Sequence, residues 1–297
     1  MQVALPFADN IIAVSSILVA LTVLMYYVAR FGKIRGNIGY AFTVYPWVTT
    51  LPETLVSTVA AINGYHVTSI WNAVFSATFD AAAVYGVSGI RSARPIQFRP
   101  VGLLIPTVLG GLIFAILLMP DGKLNLFDGF ILYGYLITVT AVAIAMYGFR
   151  VRVVRGALIS HVVSLVATAG IALVFSYYVM ALADLVGQRL AGVVAASLTS
   201  VPDIIEAVVY GIESDVAQAE VLGCIMHDFA ENMATAAVVA GFYGVDVVDA
   251  NPVLTSLAVA MTIVGLVTAL GDRDIDVYDG ALLIEIFILL AIVTIVL

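Results

Sequence analysis

The sequence predicts an all-α membrane protein of ten transmembrane helices, arranged as two inverted five-helix repeats with both termini outside. Three observations carry this prediction. The composition is strongly apolar, the basic residues fall on one side, and an acid-bearing motif recurs 150 residues later.

Of the 297 residues, 63% are hydrophobic and only 11% are charged. The mean hydropathy is +1.12. Soluble domains run about 45–50% apolar and about 25% charged. A soluble fold of this size could not hide so much apolar surface. The composition therefore excludes a soluble enzyme, a disordered chain and a secreted disulfide scaffold. Cys224 is the single cysteine, so no intrachain disulfide forms. No basic patch carries interleaved aromatics, so nucleic acid is not an expected partner. Met1 to Asn10 hold no positive charge ahead of the apolar run, which argues against a cleaved signal peptide. The expected setting is a multi-pass protein in the plasma membrane of a prokaryote, with the lipid bilayer as its surroundings.

A bilayer core takes about 20 apolar residues per helix. Ten such stretches follow one another, at about 10–30, 39–63, 67–90, 100–119, 127–148, 158–182, 190–212, 216–240, 252–270 and 278–297. The runs are too long and too little alternating for strands. With ten spans, ten of the twelve basic residues share one side: Arg30, Lys33, Arg35, Arg91, Arg94, Arg99, Arg150, Arg152, Arg155 and Arg273. Only Lys123 and Arg189 fall opposite. The positive-inside bias makes the first side cytoplasmic. Residues 1–148 then form a first half, 149–157 a basic cytoplasmic linker, and 158–297 a second half. Five is odd, so the second half enters the membrane inverted, as in many transporters.

The halves share a motif. Thr49-Thr50-Leu51-Pro52-Glu53 lies in the second stretch and Thr199-Ser200-Val201-Pro202-Asp203 in the seventh. Each proline lacks an N–H and frees backbone carbonyls at mid-membrane depth. Hydroxyls add neutral oxygens and the acid adds charge, as a hard cation requires. The following stretch matches too. Asn72, Ser76 and Asp80 stand four apart, and so do Cys224, Asp228 and Asn232, at an offset of 152. Either series forms one helical stripe. Intramembrane acids mark ion pathways far more often than packing. Glu53, Asp80, Asp203 and Asp228 are expected to converge near the midplane. Bare, they would repel one another, so the carrier should rearrange only when cations neutralise them.

These residues resemble the cation/calcium antiporter superfamily, which includes the sodium/calcium exchangers. That family carries two inverted alpha repeats, each with a G-T-S-x-P-E core and then a G-N-x-x-G-S-N-x-x-[ND] helix. The repeats fall here at about 39–90 and 190–240. The resemblance implies alternating access, with Na⁺ or H⁺ moving down its gradient and a divalent cation, usually Ca²⁺, moving against its own. It implies no enzymatic activity and no cofactor beyond the transported ions. Glu53 and Asp203 would be the central ligands. Thr49, Thr50, Thr199, Ser200 and Ser76 would flank them, mainly around Na⁺. The departures are Asp203 for glutamate, Asp228 for serine, Cys224 for asparagine, His227 for glycine, and Val48 and Leu198 for the glycine before each core.

The eighth stretch sets Glu220, Cys224, His227, Asp228, Glu231 and Asn232 on one side at about 100° per residue. Thiolate, imidazole and carboxylate suit Fe²⁺, Mn²⁺, Zn²⁺ or Co²⁺. Cys224, His227 and Asp228 thus pose an alternative, a transition-metal exchanger. The bland reading makes Cys224 a packing residue and His227 the partner of an acid. His66 and His161 are expected to be structural. Glu206 is expected near the inner mouth, and Glu285, deep in the last stretch, has no assigned role. A cation channel would show flux without a coupled counter-ion. An aspartyl protease would rest on Asp272 and Asp279, which lie in a charged loop in the wrong order.

Overall fold

The computed structural model describes residues 7–30, 35–92, 94–98, 101–152, 157–249, 251–270 and 274–296. Lys33, Arg99, Arg155, Asp272 and Arg273 lie outside these residues. Fourteen α-helices are present among them: α1 (Phe7–Arg30), α2 (Ile38–Thr43), α3 (Tyr45–Thr49), α4 (Leu51–Ile62), α5 (His66–Thr78), α6 (Tyr85–Arg91), α7 (Ile105–Leu118), α8 (Leu126–Tyr147), α9 (Ala157–Val186), α10 (Gln188–Tyr210), α11 (Asp215–Met226), α12 (Asn232–Phe242), α13 (Pro252–Leu270) and α14 (Val277–Val296). Six helical runs among the described residues are long and apolar enough to cross a membrane. Apolar side chains point outward from them, such as Phe127 and Ile159, each about 70% exposed.

Local chemistry sets the helix ends. Asn125 caps α8 in a reciprocal box with Asp128, which satisfies two otherwise orphaned N–H groups. Ser214 caps α11 by accepting from the Ala217 N–H. Asn37 caps α2, and its amide also donates to the Tyr147 carbonyl at 2.8 Å. That bond ties the start of α2 to the end of α8.

The two motif stretches fold differently. The first is broken at Val44 and Thr50, with Pro46 and Pro52 opening α3 and α4. Proline is at home in a first helical turn, where its missing N–H has no partner to lose. The second runs unbroken through Pro202 in α10. Both following helices carry a π turn instead, Phe79–Val84 between α5 and α6 and His227–Glu231 between α11 and α12. Each inserts an extra residue into a turn, a feature often found at functional sites. Asp80 and Asp228 are the second residue of their π turns.

Three short antiparallel ladders join the loops: β1 (Arg35–Gly36) with β4 (Val151–Arg152), β2 (Ile96–Gln97) with β6 (Asp274–Ile275), and β3 (Lys123–Leu124) with β5 (Val247–Val248). The last two are copies in register. Ile96 faces Ile275, and the residues 151 positions away from each, Val247 and Leu124, face one another.

Glycines let helices touch and follow the same rule. A Cβ on Gly192 of α10 would lie 2.9 Å from Trp71 Cβ, and one on Gly223 of α11 would lie 2.6 Å from the Phe42 carbonyl. Phe42 is the counterpart of Gly192, and Trp71 the counterpart of Gly223, at the motif offsets of 150 and 152. Gly129 packs α8 onto α12 at the Ala234 carbonyl, and Gly280 packs α14 onto α6 at the Gly86 carbonyl. Most buried side chains form one core. A second core, built on Leu18, Val56, Phe175, Val179 and Ala195, seats α1 and α9 against α4 and α10.

Candidate cation-binding site

Glu53 stands in the first turn of α4, where the helix dipole favours a carboxylate. It is 3% exposed. The Thr199 side chain from α10 lies beside it. Its backbone carbonyl accepts from Asn72 Nδ2 at 2.9 Å. Asn72 also donates to Ser57 Oγ at 2.9 Å, and Ser57 donates to the Ser69 carbonyl. This chain of bonds fixes α4 against α5.

What these residues leave unbonded is more informative. Glu53 Oε2, Asn72 Oδ1, Ser76 Oγ, Asp80 Oδ1 and Ser200 Oγ are buried and take no hydrogen bond from the protein. Unsatisfied buried polar atoms are rare because each costs free energy. Here five of them fall on residues that the repeat motif singles out. Glu53, Asp80, Asp203 and Asp228 also lie within electrostatic reach of one another.

The remaining candidates divide. Thr54 Oγ1 donates to Asn232 Oδ1 at 2.6 Å, and Asn232 Nδ2 points to Asp228 Oδ1 at 3.4 Å. Thr49 Oγ1 meets Cys224 Sγ at 3.4 Å. Thr50 and Thr199 turn their hydroxyls back onto their own helices, at Pro46 and Ala195. His227 Nδ1 meets Glu231 Oε2 at 2.6 Å, and its ring packs edge-on against Trp47 at 5.3 Å. The predicted stripe of the eighth stretch is therefore split. Cys224 meets α3, Asn232 meets α4, and His227 and Glu231 pair with each other. Cys224 and His227 both contact α3, at Thr49 and Trp47, and the π turn then adds a residue between them and Asn232. Among the described residues, no three His, Cys, Asp or Glu side chains gather closely enough to hold one metal ion.

A cavity of about 470 Å³ borders the site. Asp80, Asp203, Glu206, Glu220 and Cys224 line it, together with Gly211 and Ile212 of the α10–α11 loop. Tyr45 hydrogen-bonds to Glu220. A second, narrower cleft of about 80 Å³ lies between α1, α4, α9 and α10, where His161, Thr49, Thr199, Asp203 and Glu206 meet. Asp203 borders both. His66 stays apart, at the start of α5. Asp279 closes a turn by accepting from the Asp276 N–H.

Sequence reading missed Thr54, Ser57 and Ser69. Ser57 was within reach, since it lies one helical turn beyond Glu53 on the same face. Nothing in the sequence marks the π turns.

The sodium/calcium exchanger protein family matches residues 7–145, roughly the first half. Solved structures match nearly the whole chain. The sodium-calcium exchanger NCX_Mj soaked with 2.5 mM Na⁺ and 0.1 mM Sr²⁺ superposes with a TM-score of 0.67, over 95% of this chain and 94% of that one, at 20% identity. An H⁺/Ca²⁺ exchanger, CAX, gives 0.72 over 99% and 87%, at 14% identity. Native YfkE gives 0.71 over 99% and 93%, at 15% identity. No curated protein matches the chain. The family match over residues 7–145 and the fold shared over nearly the whole chain make this integral membrane protein similar to the sodium/calcium exchangers in its first half and to the solved cation exchangers in its fold.

Proposed function

We propose that the chain is a secondary antiporter that exchanges Na⁺ for a divalent cation, Ca²⁺ first, by alternating access. The observation that carries this reading is the set of five unbonded, buried polar atoms on Glu53, Asn72, Ser76, Asp80 and Ser200, drawn from both halves. A desolvated cation supplies what those oxygens lack. The candidate ligands are Glu53, Asp80, Asp203 and Asp228 as acids, with Thr49, Thr50, Asn72, Ser76, Thr199, Ser200 and Asn232 as neutral donors.

The architecture in this reading is ten spans in two inverted repeats. The helices group as α1, α2–α4, α5–α6, α7 and α8, then α9, α10, α11–α12, α13 and α14. Support comes from the ladders. β1–β4 and β2–β6 each join two loops on the basic side, and β3–β5 joins two loops on the other. Further support is the swapped pairing of Gly192 with Trp71 and Gly223 with Phe42. The cavity reaches Gly211 and Ile212, in the α10–α11 loop that the ten-span reading puts on the basic side. On the other side Trp71 Nε1 donates to Asp249 at 3.1 Å and Arg189 lies 5.6 Å above the Trp71 ring. We read this as the inward-open half of the cycle.

The mechanism follows from charge. Four carboxylates in mutual reach repel when bare, so a cation lowers the cost of closing the site. One observation favours a second reading, in which a softer metal is carried: Cys224 shares the cavity wall with Asp80 and Asp203. His227, turned to Glu231, takes no part in it.

Uptake into Na⁺-loaded proteoliposomes, with Ca²⁺, Fe²⁺, Mn²⁺ and Zn²⁺ tested in parallel, decides between them. Ca²⁺ uptake that requires an outward Na⁺ gradient supports the first reading. Uptake driven only by a proton gradient replaces Na⁺ with H⁺. Transition-metal uptake without Ca²⁺ uptake favours the second, and flux with no coupled ion overturns both.

A further inference from the structure

Glu285 is exposed on the outer face of α14. It lies eight residues from Val277 and eleven from Val296, so about 12 Å and about 16 Å from the two helix ends at 1.5 Å per residue. A glutamate side chain spans neither distance. Carboxyls inside a membrane almost always face the protein interior or water, and this one faces neither.

The scaffold does not demand it. Gly280 and Gly129, 151 residues apart, pack α14 and α8 onto their partners in the same way. The counterpart of Glu285 at that offset is Gly134. Gly134 is exposed and has nothing within 4 Å of its Cβ position. A bare face therefore suffices for folding at this place.

The surrounding face has the spacing of a helix–helix seam. Tyr278, Leu282, Glu285, Leu289, Ile292 and Val296 follow at alternating intervals of four and three. All six are exposed, Leu289 by 53% and Ile292 by 52%. A 3.5-residue repeat is the period of a left-handed pair of helices. In a two-fold pair each residue near the axis meets its own copy. A neutral carboxyl is donor and acceptor at once, so it complements itself. No Lys or Arg occurs within α14, α13 or α8 to offer an alternative from another copy.

We infer that α14 is a homodimer interface, in which Glu285 pairs with Glu285 of a second copy of this chain inside the bilayer. The test is the monomer–dimer equilibrium of the labelled full-length protein in liposomes, measured by single-molecule photobleaching across protein-to-lipid ratios. Wild type is expected to dimerise. Glu285→Gln, which keeps a donor and an acceptor, should dimerise as wild type does. Glu285→Ala should dissociate about three- to thirty-fold more readily, the range for one interhelical hydrogen bond in a membrane. Monodispersity and ion uptake per protein report that each variant is folded. Wild type that stays monomeric at every ratio overturns the inference, as does Glu285→Ala with an unchanged equilibrium or Glu285→Gln that behaves like alanine. Uptake is read independently of assembly, so failure here leaves the transport reading intact.

Discussion

The Thr54 hydroxyl donates to Asn232 Oδ1 at 2.6 Å, one residue past Glu53 on one side and one turn past Asp228 on the other. This bond links the acid-bearing helix of the first half to the acid-bearing helix of the second. It leaves Asn232 Nδ2 free to point at Asp228. Neutral groups thus join the two helices right beside both acids.

Replacing Thr54 by valine keeps the shape and removes the donor. Asn232 Oδ1 then stays buried without a partner. The loss expected in detergent is about 0.6–2 kcal/mol, the range for interhelical hydrogen bonds in membranes. Thr54→Ser restores most of it. Thermal unfolding of the three proteins checks this, and equal midpoints for valine and wild type would refute it.

Glu53→Gln and Asp203→Asn keep size and hydrogen bonding but remove charge. In the proposed cycle each should lower divalent uptake at least about 100-fold, equivalent to about 2.7 kcal/mol of lost stabilisation. Exchange that survives both substitutions would rule out these carboxylates as the shared ligands.

Ser76 and Ser200 offer a cleaner separation of binding from folding. Neither hydroxyl oxygen has a partner in the protein. Removing an unsatisfied buried oxygen costs little stability and can gain some. Ser76→Ala and Ser200→Ala should therefore melt at or above the wild-type temperature. Each should also raise the ion concentration for half-maximal uptake by about tenfold, roughly 1.4 kcal/mol. A variant that loses stability and keeps affinity would mark its serine as a packing residue.

The repeat was the most legible feature. Thr49–Glu53 and Thr199–Asp203 share residue types at one offset, and the chemistry of proline, hydroxyl and acid gives that pattern meaning. All ten apolar stretches contain helix, although α7 begins at Ile105, later than the expected 100, and α9 extends to Val186. His227 as the partner of an acid was one of the two readings that the sequence offered, and it is the one found, at Glu231; the π turn that carries the pair was not legible, since tertiary packing decides it. The break at Thr50 was hidden for a related reason. Pro52 and Pro202 look alike in sequence, yet one opens a helix and the other sits inside one.

Gly280 and Gly134 test the packing symmetry. A methyl on Gly280 would sit 2.7 Å from the Gly86 carbonyl and 2.8 Å from the Ile90 nitrogen, both backbone atoms. Gly280→Ala should cost about 1–3 kcal/mol, as overpacking does. Gly134→Ala meets nothing and should be neutral or gain up to about 1 kcal/mol from helix propensity. Unfolding of both variants in one detergent gives the comparison. A Gly280→Ala protein as stable as wild type would mean that α14 and α6 separate freely.

Asp249 ties the side opposite the large cavity together. It lies before α13, and it accepts from the Trp71 indole at 3.1 Å, the Asn251 N–H at 3.2 Å and the Thr255 hydroxyl. Burial pushes its carboxyl above the usual carboxylate range, while the Asn251 and Trp71 bonds and the Arg189 charge pull it part of the way back. A carboxyl whose native pKa is raised binds a proton more readily folded than unfolded. Its contribution to stability is then fully present below the unfolded value and lost as pH rises through the native one. Asp249→Asn removes that titration and keeps an acceptor for Trp71. The stability of wild type relative to Asp249→Asn should therefore be greatest near pH 4 and smaller near pH 7, read as the difference in unfolding midpoints. Taking the difference cancels the shared titration of the buried site acids. A gap that widens toward neutral pH would mean that the ionised carboxylate, held by Arg189 and the Trp71 indole, is the form that the fold favours.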